Sequence, residues 1–428
     1  MTTRHASRAT VSLGVVLASV IGTMALGIAL KAPCASGDWS DHRQYRYLCY
    51  SDIVPLLGTE QLFTRDGAPG NRLPFLDACQ PVPGQNCDEY PVLTMWFIRV
   101  AGWISGDGVI AFSTVNALML LGCAVATAVC LYVLNGARAL YFALAPTLLV
   151  YGTMNWDLLA VALATVGVLL FFRRRDTGAG AMLGLGAAAK LFPGLLAVPL
   201  IFQRLRERAP DRAIGIAWST AGAWIAVNLP FALAAFGAWW TFFRFNGNRG
   251  ADFDSLWYIA CRDVHLGSLD LCFSTRTINI ASLVVFVALF AGIWAIRAHR
   301  EPGFPPWTLG FPLLVAFLVT NKVYSPQYGL WLLPWFALAL PRTREWVLFG
   351  IADVAVFVAR FWFFGAYEGG WGVSEWVFEA MVLFRLAVLV WCVLVWIRDP
   401  AEPLEIERYA RSSPTTAPLP AEPEANPA

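Results

Sequence analysis

The sequence predicts an all-α, polytopic membrane protein of about 10–12 transmembrane helices with two long extracytoplasmic loops. Three observations predict it: an apolar composition, the spacing of the apolar runs, and the sidedness of the arginines. Of 428 residues, 58% are hydrophobic and 14% charged, whereas an ordinary soluble domain carries about a quarter charged residues. The net charge is +2. Its basic residues are scattered over short turns rather than gathered on one face, which argues against nucleic acid as a partner.

The first apolar run, Val11 to Leu30, follows Arg4 and Arg8. It reaches the roughly 20 residues that a full crossing needs, and Lys31-Ala32-Pro33-Cys34 offers no small-residue cleavage site. The reading is a retained anchor with residues 1–10 in the cytoplasm. Further apolar segments cover 109–134, 139–153, 157–172, 178–203, 213–233, 279–298, 306–320, 328–340, 345–365 and 376–398. Lys190, Pro193 and Gly194 interrupt the 178–203 segment, and such breaks are tolerated where protein or a water-filled cavity covers the loose backbone. We therefore divide it into two half-spans meeting near Lys190.

With that division, Arg138, Arg173 to Arg175, Arg204 to Arg212, Arg297, Arg300, Arg342, Arg344 and Arg398 all fall on one side, the positive-inside pattern. Both termini are then cytoplasmic in a plasma membrane, and the loops at about 31–108 and 234–278 lie outside. Residues 11–398 form one transmembrane domain. The 399–428 tail, rich in Pro, Ala and Glu, has too little apolar content to pack and is expected to be disordered.

Cysteine placement checks the topology independently. Cys34, Cys49, Cys79, Cys87, Cys261 and Cys272 all lie in the two external loops, where an oxidising compartment lets thiols pair. Six cysteines allow 15 connectivities, of which Cys79 with Cys87 and Cys261 with Cys272 are the simplest. Cys123, Cys130 and Cys392 sit in spans and read as small core residues.

Polar chemistry concentrates in a few short elements. They are Tyr50-Ser51-Asp52-Ile53 after the first span, Glu89-Tyr90-Pro91, Asn155-Trp156-Asp157, Ala189-Lys190-Leu191-Phe192-Pro193-Gly194, and Asn321-Lys322-Val323-Tyr324-Ser325-Pro326-Gln327-Tyr328. Acidic groups set among aromatics and prolines differ from a merely solvated loop, since apolar surroundings make a carboxylate a better base. Taken singly, a loop aspartate is more often a cap or turn residue.

In their order and sidedness these elements resemble the C superfamily of glycosyltransferases. The closest resemblance is to glycosyltransferase family 87, the polyprenyl-phosphate-mannose-dependent mannosyltransferases of actinobacteria. The resemblance implies a catalytic base in the first external loop, and Asp52 occupies that position. It further implies a polyprenyl-phosphate sugar donor and a lipid-linked or cell-envelope glycan acceptor. The longer, cysteine-bearing first loop departs from the family and points to a different acceptor.

The residues support the same chemistry. Sugar transfer outside the cell has no nucleotide-sugar supply, so it draws on a lipid-linked donor whose phosphate must be met by cations near the outer interface. Only three of the 31 basic residues are lysines: Lys31, Lys190 and Lys322. Lys190 and Lys322 fall in broken or outward-facing segments, where an ammonium meets phosphate as a point charge; the plainer alternative is snorkelling to headgroups. Arg249, in Asn246-Gly247-Asn248-Arg249-Gly250, is a candidate phosphate fork, while Asp252 and Asp254 read as turn and cap residues.

Glu89, Asp157, Tyr324 and Gln327 complete the substrate-binding candidates, with helix capping or interfacial anchoring as the bland reading for Asp157 and Tyr324. Asp353, Arg360 and Arg385 lie within spans, where a charge is costly unless it is paired or lines a cavity. A pair with Asp353 is the favoured reading, phosphate binding the other. The four histidines form no ligand-spaced cluster, so no metal and no cofactor is expected.

The expected reaction is an inverting transfer of a sugar, mannose or a relative, with membrane lipids as surroundings. The competing class is a secondary transporter or lipid flippase, which would place polar sites near the midplane and show repeat symmetry.

Overall fold

The computed structural model describes residues 11–59, 72–79, 87–106, 108–263 and 274–412. The expected cytoplasmic residues 1–10, Cys272 and the tail beyond 412 lie outside the described residues. Among those described, the regular elements are helical. The first helix, α1 (Leu13–Lys31), starts where the Ser12 hydroxyl accepts the Val15 N–H, an N-cap that satisfies one of the otherwise unpaired first-turn donors. The first loop carries the short α2 (Arg43–Arg46) and α3 (Ile53–Thr59), and then come α4 (Val92–Ser105) and the long α5 (Val109–Asn135). The chain continues through α6 (Leu140–Ala143), α7 (Pro146–Tyr151), α8 (Asp157–Phe172), α9 (Asp176–Ala189), α10 (Phe192–Arg206) and α11 (Pro210–Ala234). The second loop holds α12 (Phe236–Trp239), α13 (Thr241–Asn248) and α14 (Leu256–Asp263). The remaining elements are α15 (Thr275–Arg300), α16 (Gly310–Thr320), α17 (Leu333–Leu338), α18 (Thr343–Tyr367), α19 (Glu375–Arg398) and α20 (Glu405–Ser412).

Among the described residues, six helices are long and apolar enough to cross a membrane: Leu13–Cys34, Val109–Ala143, Pro210–Ala234, Thr275–Arg300, Thr343–Tyr367 and Glu375–Arg398. Shorter apolar helices cover Val92–Ser105, Asp157–Phe172 and Pro306–Thr320. The chain is thus an all-α polytopic membrane protein. The expected spans at 139–153 and 328–340 are not continuous helices; each is two short pieces, with Pro146 opening α7 and Pro334 lying in the first turn of α17. Proline lacks the N–H that would continue an incoming helix. Within the expected first loop, residues 92–105 form a short apolar helix.

The break at Lys190 is present. Helix α9 ends there in an extended conformation (φ −156°, ψ 137°), and Pro193 sits in the first turn of α10, a position where its fixed φ suits the helix and its missing N–H costs nothing. The two pieces form a hairpin. Arg204 near the end of α10 returns to Asp176 at the start of α9, leaving Lys190 at the apex. Helix α9 packs closely on α11, and a Cβ on Gly184 would come within 2.2 Å of the Thr220 carbonyl oxygen. Its small residues therefore serve contact inside the bundle.

One end of the bundle is an arginine end. Arg204 binds Asp176 at 2.8 Å, Glu207 at 2.7 Å and the Phe171 carbonyl at 2.7 Å. Arg297 reaches the carbonyls of Trp396, Ile397 and Asp399, and Arg342 pairs with Asp399. The start of the expected disordered tail is folded against this end: Leu404 is buried, Glu402 pairs with Arg138, and the Glu405 N–H donates to Asn135 Oδ1. Ion pairs and one apolar anchor fix a segment whose composition alone predicts disorder.

Candidate active site

At the opposite end the first loop folds down into the bundle. The Cys34–Cys49 disulfide ties it to the end of α1, the Asp52 N–H donates to the Met154 carbonyl at 2.9 Å, and the Ser51 hydroxyl donates to the Thr153 carbonyl at 3.0 Å. Farther along, the Cys79–Cys87 disulfide and a buried Arg72–Asp88 pair at 2.7 Å hold the approach to Glu89 and Tyr90. Cys261 is also disulfide-bonded, its expected partner Cys272 lying outside the described residues.

These constraints deliver the Asp52 carboxylate to the wall of a cavity of about 860 Å³. Asn155 Nδ2 donates to Asp52 Oδ2 at 2.6 Å, and the Tyr50 hydroxyl donates to Oδ1 at 2.8 Å. Enclosure by protein raises the pKa of Asp52, opposed by the Asn155 and Tyr50 hydrogen bonds and by the charge of Lys190. The result is a carboxylate more basic than usual that still has donors to steady its charge, which suits a general base. Burial, and then the charge of Asp52, push the Tyr50 and Tyr90 hydroxyls well above the ordinary phenol range. Both remain donors.

Asp52, Glu89, Lys190, Arg249, Lys322 and Gln327 all line this one cavity. Asp157 and Tyr324 do not. Asp157 is fully buried behind Lys190, pairing with its ammonium at 3.3 Å and accepting from Trp331 Nε1 at 2.7 Å, so it orients the lysine rather than facing a ligand. The Lys190 ammonium sits 5.5 Å from the Tyr90 ring centroid and 5.1 Å from that of Tyr328, a cation–π cradle. Tyr324 is buried under the guanidinium of Arg385, 3.7 Å from its ring centroid.

The second loop closes the far wall. The Asp252 N–H donates to the Lys322 carbonyl at 2.8 Å, while Lys322 Nζ donates to the carbonyls of Gly247 and Arg249 at 3.3 and 2.5 Å. Burial and the neighbouring Arg249 charge lower the pKa of Lys322 to about 8. Asp252 and Asp254 are not plain turn and cap residues. Asp252 pairs with Arg249 at 2.9 Å, and both aspartates pair with Arg360 of α18, which itself lines the cavity. Asp353 pairs with Arg385 at 3.4 Å deeper in the bundle. Of the two intraspan arginines, one is therefore structural and the other faces the site.

Asn155, Tyr50 and Tyr90 are site residues that sequence reasoning passed over individually, whereas Arg360 had been named as an intraspan charge with phosphate binding as its second reading. All three belong to the short polar elements that had been singled out, and that membership was the available signal. Among the described residues, no group of three His, Cys, Asp or Glu is placed to hold a metal.

The sequence model of glycosyltransferase family 87 matches residues 90–326, more than half of the chain. The chain belongs to glycosyltransferase family 87. It is therefore a membrane glycosyltransferase, and the competing transporter class is set aside. No curated protein matches it. The matched stretch holds Asn155, Lys190, Arg249 and Lys322, whereas Arg360 lies beyond it. Asp52 and Glu89 precede that stretch, and their assignment rests on geometry.

Proposed function

We propose that this family 87 glycosyltransferase moves a hexose, mannose in the first instance, from a polyprenyl-phosphate donor to a glycan or glycolipid acceptor on the extracytoplasmic side of the plasma membrane. The observation that carries the reading is one cavity with a base at one wall and cations at the others. Asp52 takes the proton of an acceptor hydroxyl as that oxygen forms a bond to the anomeric carbon. The bond from that carbon to the phosphate oxygen breaks on the opposite face, and its electron pair leaves with the polyprenyl phosphate. One displacement inverts the anomeric centre, through an oxocarbenium-like transition state.

Negative charge grows on the leaving phosphate, and Lys190, Lys322, Arg249 and Arg360 line the space it would occupy. Preorganised cations in a water-poor site stabilise developing charge without having to reorient. Phe242, Phe243 and Phe245 border the same space and offer an apolar path for the prenyl chain. Binding needs no metal in this scheme, because ammonium and guanidinium groups meet the phosphate directly.

The test is transfer of label from a radiolabelled polyprenyl-phosphate sugar in membranes holding the full-length protein, comparing wild type with Asp52→Asn. Loss of transfer with unchanged expression and donor binding is expected. Undiminished transfer would remove Asp52 as the base. Transfer from a nucleotide sugar instead would overturn the lipid-linked donor.

A further inference from the structure

The cavity walls differ in chemistry, and one of them plays no part in the scheme above. Beside Asp52 the rings of Tyr45 and Tyr50, stacked on the buried ring of Phe361, form an aromatic wall. Tyr50 and Phe361 stack at 5.1 Å between centroids, and Tyr45 stacks on Tyr50 at 6.4 Å with only 10° between the planes. At the outer edge Tyr45 donates to Glu368 Oε1 at 2.7 Å, and His42 Nδ1 lies 3.3 Å from Glu368 Oε2. Glu368 is exposed at the rim, and its side chain, with those of Tyr45, Tyr50 and Phe361, borders the cavity.

A prenyl chain needs no carboxylate, and a phosphate is repelled by one. The apolar C–H face of a pyranose, by contrast, packs on an aromatic ring, while its equatorial hydroxyls reach polar groups at the ring's edge. A carboxylate oxygen keeps lone pairs for a sugar hydroxyl after accepting one hydrogen bond. We propose that the Tyr45–Tyr50–Phe361 surface, edged by Glu368, is the acceptor subsite, which takes a neutral pyranose of the acceptor glycan immediately outside Asp52. The assignment rests on the proposed transfer reaction and gives the acceptor a direction: it enters from the first-loop side. Tyr50 joins the two functions, stacking with the subsite while its hydroxyl donates to the base.

The test uses the full-length protein in lipid nanodiscs free of glycoside detergents, with methyl α-mannopyranoside and methyl α-glucopyranoside as probes and mannitol as an acyclic control. Binding is read without donor, by saturation-transfer NMR and by tryptophan fluorescence, since Trp39 lies 5.6 Å from Tyr50. Wild type should bind the pyranosides and not mannitol. Tyr45→Leu, which keeps apolar volume without an aromatic face, should weaken pyranoside binding about tenfold. Tyr45→Phe should keep most of it, and Glu368→Gln should change the preference between the two pyranosides. In the transfer assay Tyr45→Leu should raise the acceptor KM while the donor KM stays within about twofold. Equal binding of mannitol, no pyranoside binding by wild type, or a Tyr45→Leu effect on donor KM alone overturns the subsite. Because binding is read without donor, it holds or fails independently of Asp52→Asn and of the donor's identity.

Discussion

The two ends of the bundle use the same kind of residue for opposite purposes. At the arginine end the guanidinium groups are consumed by the protein: Arg204, 2% exposed in its side chain, spends its donors on Asp176, Glu207 and a carbonyl, and Arg297 holds three carbonyls of the α19 terminus. At the cavity end Lys190, Arg249, Lys322 and Arg360 are held by partners on one side and face open space on the other. A paired cation that still lines a cavity is positioned rather than satisfied. The contrast teaches that a cation's chemical role in a membrane protein is set by what its second face meets.

The sharpest way to break this comparison is the base itself. Asp52→Asn should lower kcat by about 10²–10⁴-fold, the range for losing a general base, with no change in thermal unfolding; a shared drop in both would return Asp52 to a structural role. Arg204→Ala should do the reverse. Removing one partner of a buried pair costs about 3–5 kcal/mol, and the lower end is expected because Arg212 still pairs with Asp176 at 2.7 Å. Unfolding midpoints should fall while transfer per folded molecule stays within about twofold.

Lys322→Ala should raise the donor KM about tenfold or more through loss of one charge-assisted contact, with Lys322→Arg recovering part of it. The pH dependence is smaller but has a definite sign. Lys322 has a pKa lowered to about 8, so its charge is present below that pH and lost above it, and donor KM should climb as pH rises through about 8. The climb should disappear in Lys322→Arg. On the acid side Asp52 must be ionised to act, and its raised pKa places the acid limb of kcat/KM above the ordinary carboxylate range. Asn155→Ala removes a hydrogen bond that stabilises the carboxylate, so it should move that limb to still higher pH. A limb that stays put would separate Asn155 from the base.

Much of the fold was legible in the chain, for a physical reason. Span length, composition and arginine bias are sums over neighbouring residues, so α1, α11, α15, α18 and α19 emerge from local counting, and the break near Lys190 from Lys190, Pro193 and Gly194 within one apolar run. Where interruption by proline is frequent the same counting overreached, as at 139–153 and 328–340. The start of the tail escaped it too, because Glu402 and Leu404 are fixed by partners far away in sequence. The candidate site was legible as a set of short polar elements but not as a geometry. Asp157 and Lys190 stand in quoted motifs on equal terms, yet one is buried behind the other.

Local sequence thus settled that this is a polytopic helical membrane protein with arginines gathered at one end, because bilayer thickness and membrane-side charge act on each segment separately. Packing settled which polar residues meet. Asn155 reaches Asp52 across 103 positions, and Tyr45 reaches Glu368 across 323. Arg360 faces the cavity while Arg385, on the next helix, turns to Asp353. Such pairings depend on how whole helices cross, and no window of neighbouring residues carries that information.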